Sequence, residues 1–352
     1  MSGMLMLRFT GLLHPAALAL SGVLLSCGAQ AEPVADFYRG KTVQMLIGGA
    51  PGVSYDFVGR LAAQHMPKYI PGEPTFIVEN MPGASSLIMT NYFYNRSKRD
   101  GSVIGMPNTN IIFEPTLKLL SRDGGNIQFD INKFIWLGTP VQEPQVMMVW
   151  RGAPAQSLEQ MKTTKLRFGS AAIGADNYTL PNVVNRIWGT KNEIVAGYKS
   201  PNDIFLAVER GEVDAVSAAL STFLVNKGDW LRDNKVVLLM QFGLVRVPEL
   251  PDLPTALEQA PSPEARDMLH FIGTKFALAR PFVLPPDVPA DRVKALRTAF
   301  DALMKDPAFI ADAKKLSIDI KPIDGETMTK MIADLNATPQ PIIDRLRAVI
   351  AP

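Results

Sequence analysis

This chain of 352 residues contains a single cysteine, Cys27, and it lies within the first thirty residues. A disulfide framework is therefore excluded, and the folded part must be stabilised by its hydrophobic cores. Histidine is also scarce, with only His14, His65 and His270. Their spacing supports neither a metal cluster nor a histidine-based catalytic dyad. We therefore expect no catalytic residues, no bound metal and no cofactor.

Concentrated positive charge is also missing, since the formal net charge is +2 and the Lys and Arg residues are scattered. Nucleic-acid binding requires a basic stripe or patch, so this class of partner is not expected. After the first thirty residues the sequence contains no run of roughly 20 apolar residues, the length that spans a bilayer. The composition is that of a globular protein without a membrane-spanning helix.

The first residues have the pattern of an export signal. Arg8 precedes an apolar stretch from Leu12 to Leu25, and Ala29-Gln30-Ala31 forms an A-x-A cleavage site. This predicts a signal peptide over residues 1–31 and a mature chain that begins at Glu32. The run from Leu24 to Cys27 also resembles a lipoprotein signal, so a lipid anchor at Cys27 is the alternative.

The length fits two α/β domains of roughly 100–200 residues each. In the first part of the chain strands alternate with helices three times, which indicates a parallel sheet. The predicted strands and helices are, in order, Val43–Ile47, Asp56–Met66, Thr75–Val78, Leu87–Tyr94, Val103–Met106 and Ile111–Leu120.

A second α/β series follows the strand-like run Gln145–Trp150, and we place the crossover out of the first sheet at Arg151–Pro154. The chain then returns to the first domain after Phe271, before a helix over Ala290–Met304. This predicts domain I over residues 32–148 and 274–352, and domain II over residues 149–273. The predicted elements of the second series are the strands Leu166–Phe168, Ile194–Ala196, Asp214–Ala218 and Val236–Met240 and the helices Asn182–Trp188 and Ile204–Glu209.

Gly/Pro turns between a strand and a helix recur along the chain. The first covers residues 48–56 and the second residues 80–86; each leaves backbone N–H groups free at a helix N-terminus, where they attract an anion. A third candidate, residues 169–177, lies in the second domain, and a strand end at residues 218–222 also opens into a helix. Because ligands of open α/β sheets bind outside the carboxyl ends of the strands, these turns predict one carboxylate site in a cleft.

Two other interpretations of these turns remain open. Helix capping by Ser54, Asp56, Ser85 and Ser86 accounts for the side chains without any ligand, at about 0.5–2 kcal/mol for each cap. Alternatively, Ser54 or Ser85 is the nucleophile of a secreted serine hydrolase, although the sequence places no histidine nearby.

Taken together and in order, several short motifs resemble the periplasmic solute receptors of tripartite tricarboxylate transporters, often called Bug-type proteins. The resemblance covers nearly the whole mature chain. It rests on residues 37–43, 50–52 with 55–56, 78–84, 198–199, 209–214, 250–256 and Ala279-Arg280-Pro281-Phe282.

This resemblance implies an α/β fold of the type II periplasmic-binding-protein class, a Venus flytrap in which two crossover hinge strands join the domains. It implies a periplasmic, monomeric, non-enzymatic receptor that captures a small carboxylate and presents it to the membrane permease subunits of a tripartite transporter. A sensor kinase is the alternative partner, and an anchored interaction protein whose cleft has lost its ligand is a further alternative.

The resemblance also assigns the ligand-binding positions, which in the family act largely through backbone groups and ordered waters. No Arg or Lys lies within these turns, which favours charge neutralisation by helix N-termini. Two positions differ from the family pattern, since Val53 and Ser200 stand where glycine is usual. The assigned residues are Pro51, Gly52, Val53, Ser54, Tyr55, Asp56, Pro82, Gly83, Ala84, Ser85, Ser170, Gly174, Ala175, Asp176 and Asp214.

Overall fold

The structure, a computed structural model, describes residues 33–118, 126–172 and 175–350. The predicted signal peptide, with Cys27 and the A-x-A site, lies outside the described residues. The described strands are β1 (Thr42–Ile47), β2 (Thr75–Asn80), β3 (Val103–Met106), β4 (Ile135–Thr139), β5 (Gln145–Trp150), β6 (Arg167–Ser170), β7 (Glu193–Ala196), β8 (Ala215–Ala219), β9 (Val236–Phe242), β10 (Phe282–Leu284) and β11 (Ile323–Asp324).

Helices follow most of the strands, as the alternating sequence pattern predicts. The described helices are α1 (Val34–Tyr38), α2 (Ser54–His65), α3 (Leu87–Arg96), α4 (Asn110–Leu117), α5 (Leu158–Thr163), α6 (Asp176–Trp188), α7 (Pro201–Glu209), α8 (Leu220–Lys227), α9 (Asp229–Arg232), α10 (Pro263–Ala277), α11 (Ala290–Leu303), α12 (Pro307–Lys315), α13 (Gly325–Asn336) and α14 (Gln340–Ile350).

Six strands form the first sheet, in the order β11-β4-β10-β3-β1-β2. β1 pairs in parallel with both β2 and β3, which confirms the parallel arrangement predicted for this part of the chain. Every residue of β3 is buried, as in a strand covered on both faces, whereas β2 alternates between exposed and half-buried residues at the sheet edge. The sheet is mixed, however, because β10 is antiparallel to β3 and β4.

Five strands form the second sheet, in the order β7-β6-β8-β5-β9. β6 pairs in parallel with β7 and β8, while β5 is antiparallel to both β8 and β9. The aromatic rings of Phe205 and Phe223 pack around Trp230 on one face of this sheet. The second α/β series predicted from sequence is therefore a separate sheet with its own core.

The position predicted for the crossover between the sheets is wrong by one strand. β5 belongs to the second sheet, so the chain leaves the first sheet at residues 140–144 and not at Arg151–Pro154. β5 is apolar from Val146 to Trp150, and such a strand carries no alternation that tells which sheet it joins. The domain boundaries drawn from the sequence stay a prediction, although the boundary at residue 148 falls within this strand.

Helix α6 begins six residues before its predicted start at Asn182. Pro181, which lies just before the predicted start, removes a hydrogen bond within a helix. The helix nevertheless runs from Asp176 through this residue, with Leu180, Val183 and Val184 buried against the sheet. Burial of this apolar face outweighs the lost hydrogen bond, and it places Asp176 in the first turn of the helix.

Candidate functional site

The carboxyl ends of the parallel strands lie at one edge of each sheet, where the predicted turns are found. In the first sheet this edge carries the ends of β1, β2 and β3. β4 ends at the same edge, because it is antiparallel to β10, which is itself antiparallel to β3. The chain crosses from here to the second sheet through residues 140–144 and returns through residues 275–281, so both passages adjoin the predicted site.

The first turn joins β1 to α2 and is held by the buried carboxylate of Asp56. Gly52 has a φ of +80°, a conformation that glycine adopts without the steric cost of a Cβ. The Asp56 carboxylate accepts hydrogen bonds from the Gly52 N–H at 2.9 Å and from the Asn80 side-chain amide at 3.0 Å. It also pairs with Arg60 at 2.9 Å. Asp56 therefore shapes the turn, and its oxygens are already engaged by the protein.

The electrostatics of Asp56 follow from these contacts. Burial alone would raise the pKa of its carboxyl, but the hydrogen bonds from Arg60, the Gly52 N–H and Asn80 outweigh burial and hold the pKa below its usual value. The group is consequently ionised at neutral pH, where its negative charge is matched by Arg60 and by the turn itself.

The second turn follows β2 and adopts an unusual backbone. Gly83, Ala84, Ser85 and Ser86 have φ values of +132°, +45°, +50° and +75°. A left-handed conformation costs about 1–3 kcal/mol at a residue with a side chain, and such strain persists only where surrounding contacts hold it. The backbone strain of these three successive residues lowers the stability of the fold, so other contacts must hold the turn in this conformation.

The hydroxyl of Ser86 joins all three turns at this edge. It donates a hydrogen bond to the Gly48 carbonyl at 2.9 Å and accepts one from the Asn108 N–H at 2.9 Å. Gly48 follows β1, Ser86 follows β2 and Asn108 follows β3. Ser86 is buried, and this contact holds the strained second turn against its neighbours.

The third turn, after β3, was not identified from the sequence because it contains no glycine. The Thr109 N–H donates to the Tyr55 hydroxyl oxygen at 3.2 Å, and the two side-chain hydroxyls are 3.0 Å apart. The Thr109 hydroxyl also donates to the Leu278 carbonyl at 3.1 Å. Tyr55, a predicted site residue, thus connects the first turn to the third and positions both against residues 275–281.

The capping interpretation of the serines is wrong. Helix α2 has Val53 as its N-cap, helix α3 has Ser86, and neither N-cap side chain accepts a helix N–H. The first N–H groups of both helices therefore lack a side-chain cap, although the Leu87 N–H at the start of α3 already donates to the Ala84 carbonyl. Around them the predicted site residues Pro51, Gly52, Val53, Pro82, Ala84 and Ser85 are exposed.

In the second sheet the predicted turn follows β6. The buried Ser170 has its hydroxyl 3.0 Å from the Asn177 side-chain oxygen, which also accepts the Ala171 N–H at 3.2 Å. Ala175 is the N-cap of α6, and Asp176 in its first turn pairs with Lys275 at 2.6 Å. Gly174 lies outside the described residues, so its predicted role stays a prediction.

Asp214 lies away from the other predicted residues. It precedes β8 at the amino end of the parallel strands, whereas Ser170 ends β6 at the carboxyl end. Its carboxylate pairs with Arg167 at 2.9 Å and accepts the Arg167 N–H at 2.8 Å. The structure thus gives Asp214 contacts at the opposite edge of the sheet and does not bring it to the turns.

Two cations reach the turns from the returning segment, residues 275–281. Lys275 contacts Asp176, and the guanidinium of Arg280 donates to the Ser54 hydroxyl at 2.5 Å. The sequence of the turns themselves contains no cation, because Arg280 is 226 residues away from Ser54 in the chain. The signal was nevertheless present, since Arg280 is part of the family motif at residues 279–282.

Glu143, in the other passage between the sheets, completes this arrangement. One carboxylate oxygen accepts from Arg280 at 3.0 Å, and the other accepts from the Ser221 hydroxyl at 3.0 Å. Ser221 lies in the first turn of α8, directly after β8. A series of hydrogen bonds that runs from Ser54 through Arg280 and Glu143 to Ser221 therefore connects the carboxyl edges of the two sheets.

Replacing Ser86 with alanine tests the junction of the three turns. We expect Ser86→Ala to lower the free energy of unfolding by about 1–3 kcal/mol, because the buried Gly48 carbonyl and the half-buried Asn108 N–H lose their partner. Urea denaturation followed by circular dichroism measures the change. Ser97→Ala is the matched control, since the buried Ser97 hydroxyl has no hydrogen-bond partner within the described part of the chain. An equal loss in both variants would contradict the junction.

Stability is expected to fall in acid because two buried carboxylates have lowered pKa values in the folded state. Asp56 is described above; for Asp306, burial is outweighed by the hydrogen bonds from Lys68 and from the Ala308 N–H. A group with a lowered folded-state pKa stabilises the fold above its unfolded pKa of about 3.9 and loses this contribution as the pH falls further.

Urea denaturation at a series of pH values checks this dependence. We expect constant stability from about pH 7 to 5 and a decline below about pH 4. The difference in stability between the native chain and Asp56→Asn should shrink over the same acid range, because Asp56 becomes protonated. A difference that is independent of pH would contradict the assignment.

The protein has two sheets that are connected by two passages, with turns at the carboxyl ends of their strands. This architecture is typical of solute-binding proteins with a Venus-flytrap fold. The sequence pattern of the tripartite tricarboxylate transporter family receptor, TctC, matches residues 58–347, and the chain belongs to this family. A search of curated proteins gives no match.

Solved structures of this type share the fold. A TctC solute-binding protein from Polaromonas is 17% identical with a TM-score of 0.69, over 88% of this chain and 99% of that chain. An R. palustris protein with adipate is 17% identical with a TM-score of 0.57, over 89% and 98%. MatC from Rhodopseudomonas palustris with bound malate is 19% identical with a TM-score of 0.54, over 88% and 99%. The chain thus has the two-domain Venus-flytrap fold.

Within residues 33–118, 126–172 and 175–350, no three His, Cys, Asp or Glu side chains are grouped so that they could hold a metal ion. No helix in these ranges is long and apolar enough to cross a membrane. His65 contacts Asp312 at 3.0 Å, in the interface between α2 and α12.

Proposed function

We propose that this chain is a periplasmic receptor that binds a small mono- or dicarboxylate between the carboxyl edges of its two sheets. The observation that carries the proposal is the pair of exposed turns before α2 and α3, whose helix N-termini have no side-chain cap. Free N–H groups and the helix dipole favour an anion at such a place. Adipate and malate in the two R. palustris structures are ligands of the same chemical class.

Affinity in such a site is a sum of small contributions. Each helix N-terminus contributes about 0.3–1 kcal/mol, so two helix ends alone do not give micromolar binding, which requires about −8 kcal/mol. The remainder comes from further polar contacts and from closure of the predicted domains over residues 32–148 with 274–352 and 149–273. A ligand stabilises a closed form only if it contacts both halves.

Thermal denaturation with a panel of acids tests the proposal directly. The panel contains acetate, succinate, malate, adipate and citrate, each at a series of concentrations, with acetamide, succinamide, malamide and adipamide as neutral analogues. A ligand that binds only the folded state raises the melting temperature in proportion to its occupancy. We expect at least one acid, and none of its neutral analogues, to do so. Binding of neutral compounds alone would sink the proposal.

The receptor function also requires that no reaction takes place in the cleft. A serine hydrolase would need a base within hydrogen-bond reach of its nucleophile. The Ser54 hydroxyl instead receives a hydrogen bond from Arg280, which is always charged and cannot accept a proton. Incubation with p-nitrophenyl esters should give no turnover above that of a heat-denatured sample, and turnover that Ser54→Ala abolishes would favour the hydrolase.

Export and partnership follow from the same proposal. We propose a cleaved signal peptide over residues 1–31, delivery of the ligand to permease subunits of a tripartite transporter, and a monomeric receptor. A sensor kinase remains the alternative partner. The intact mass of the exported protein is expected to correspond to a chain that begins at Glu32. A diacylglyceryl mass on a chain that begins at Cys27 would instead identify an anchored receptor.

A further inference from the structure

Arg280 is the only cation of residues 279–282 and, among the arginines that the structure describes, the only one that is buried. It is 8% exposed and has a φ of +60°, directly before Pro281. Both features are unfavourable by themselves, because a buried guanidinium must be paired and a left-handed residue with a side chain is strained. The surrounding contacts therefore hold this side chain in one place.

That place is the N-terminus of α2. The guanidinium Nε donates to the hydroxyl of Ser54, the first residue of the helix, at 2.5 Å, and the guanidinium lies 5.9 Å from the centre of the Tyr55 ring. Arg280 thus adds a full positive charge to the helix end that already attracts anions. The two together form a stronger anion site than a helix N-terminus alone.

A carboxylate already occupies one side of this guanidinium. Glu143 accepts from the Nη2 of Arg280 at 3.0 Å, and its side chain is 27% exposed, so solvent reaches the pair. A pocket of about 100 Å³ beside them is lined by Glu143, Ser221 and Arg280 among other residues, and by none of residues 48–56 or 80–86. The protein therefore supplies its own carboxylate at the position where the proposed ligand would be attracted.

We propose that a carboxylate of the ligand displaces Glu143 from Arg280, and that Arg280 is the residue that selects for an anionic ligand. This inference rests on the proposed function and deepens it. The exchange replaces one carboxylate with another, so the buried guanidinium keeps a counter-ion throughout. A neutral amide or ester of the same shape cannot make the exchange, because it would leave the buried guanidinium of Arg280 without an anion.

The competition predicts opposite effects for the two partners. In Glu143→Gln the internal competitor loses its charge; the amide oxygen still accepts from Arg280, but a neutral acceptor holds a guanidinium less tightly than a carboxylate does. We expect this variant to bind the acid about 3- to 10-fold more tightly than the native chain. Arg280→Gln loses the cation, and we expect binding that is at least about 10-fold weaker.

The double variant separates competition from a general disturbance of the cleft. Without the Arg280 guanidinium, Glu143 and the ligand carboxylate no longer compete for the same cation. Glu143→Gln should therefore give no gain in affinity in the Arg280→Gln background. Arg167→Gln is the matched control, since Arg167 forms an arginine–carboxylate pair with Asp214 at the opposite edge of the second sheet. We expect the Arg167→Gln variant to keep the native affinity.

Isothermal calorimetry with malate, adipate and their diamides on the full mature chain provides the test, with circular dichroism to confirm that each variant is folded. Tighter binding of the acid by Glu143→Gln, lost in the double variant, supports the exchange. If the native chain binds an acid and Glu143→Gln binds it equally or more weakly, the exchange is overturned while the receptor function stands. This outcome does not depend on whether Arg280→Gln folds. If the native chain binds no acid of the full panel, the proposed function and the exchange both fail.

Discussion

Replacing Gly48 with alanine is expected to lower the free energy of unfolding by about 1–3 kcal/mol and to weaken ligand binding. A Cβ on Gly48 would lie 2.0 Å from the Oγ and 2.6 Å from the Cβ of Ser86. Neither distance is possible without movement, and Ser86 cannot move away freely because its hydroxyl also contacts Asn108. The first and second turns would therefore be pushed apart, together with the helix N-termini that they place.

A second substitution makes this prediction specific. Ser86→Gly removes both atoms that collide with the new Cβ, and glycine adopts the φ of +75° at this position without strain. The double variant Gly48→Ala/Ser86→Gly should consequently lose less stability than the sum of the two single variants. Urea denaturation of all four chains measures the coupling. Strict additivity would mean that the close contact between these two residues does not limit the turn.

The second large effect is expected at Asp56. Asp56→Ala leaves the Gly52 N–H, the Asn80 amide and the guanidinium of Arg60 without their shared acceptor. Removing the carboxylate from this buried arrangement is expected to cost about 2–4 kcal/mol of stability. The first turn should also become mobile, so binding of the acid should weaken in the same variant even under conditions where the variant remains folded.

Asp36→Ala provides the control for Asp56→Ala. Asp36 also pairs with an arginine, Arg39 at 2.7 Å, but both side chains are exposed. Exposed ion pairs of this kind contribute little, so we expect a change within about 0.5 kcal/mol and an unchanged affinity. Thermal denaturation and calorimetry compare the two variants. Comparable losses in both would show that burial and the shared acceptor at Asp56 are not what holds the turn.

Much of the secondary structure could be predicted because it depends on local pattern. The strands β1, β3 and β5 lie at or within one residue of their predicted bounds, since each is a short apolar run between clear breaks. The start of α6 and the place of the crossover could not be predicted in this way. They depend on packing in the folded chain: the helix around Pro181 is buried against the second sheet, and β5 pairs with β8 and β9. Neither contact can be read from the neighbouring residues in the sequence.

The site shows the same division. The turns at residues 48–56 and 80–86 could be recognised, because Gly and Pro mark them in the sequence. What holds them could not be recognised, because Ser86, Thr109 and Arg280 act on partners that are 22 to 226 residues away. Asp214 shows the converse error, since the resemblance assigned it to the site although it directly precedes its strand, at the end away from the turns.

The central claim is that a carboxylate binds between the two sheet edges at the uncapped helix N-termini of α2 and α3. A crystal structure of the mature chain, grown with the acid that most raises its melting temperature, tests this claim most directly. This claim predicts ligand carboxylate oxygens within hydrogen-bond distance of backbone N–H groups at residues 54–56 or 84–86. A ligand bound elsewhere, with both of these turns contacting only protein and solvent, would contradict it.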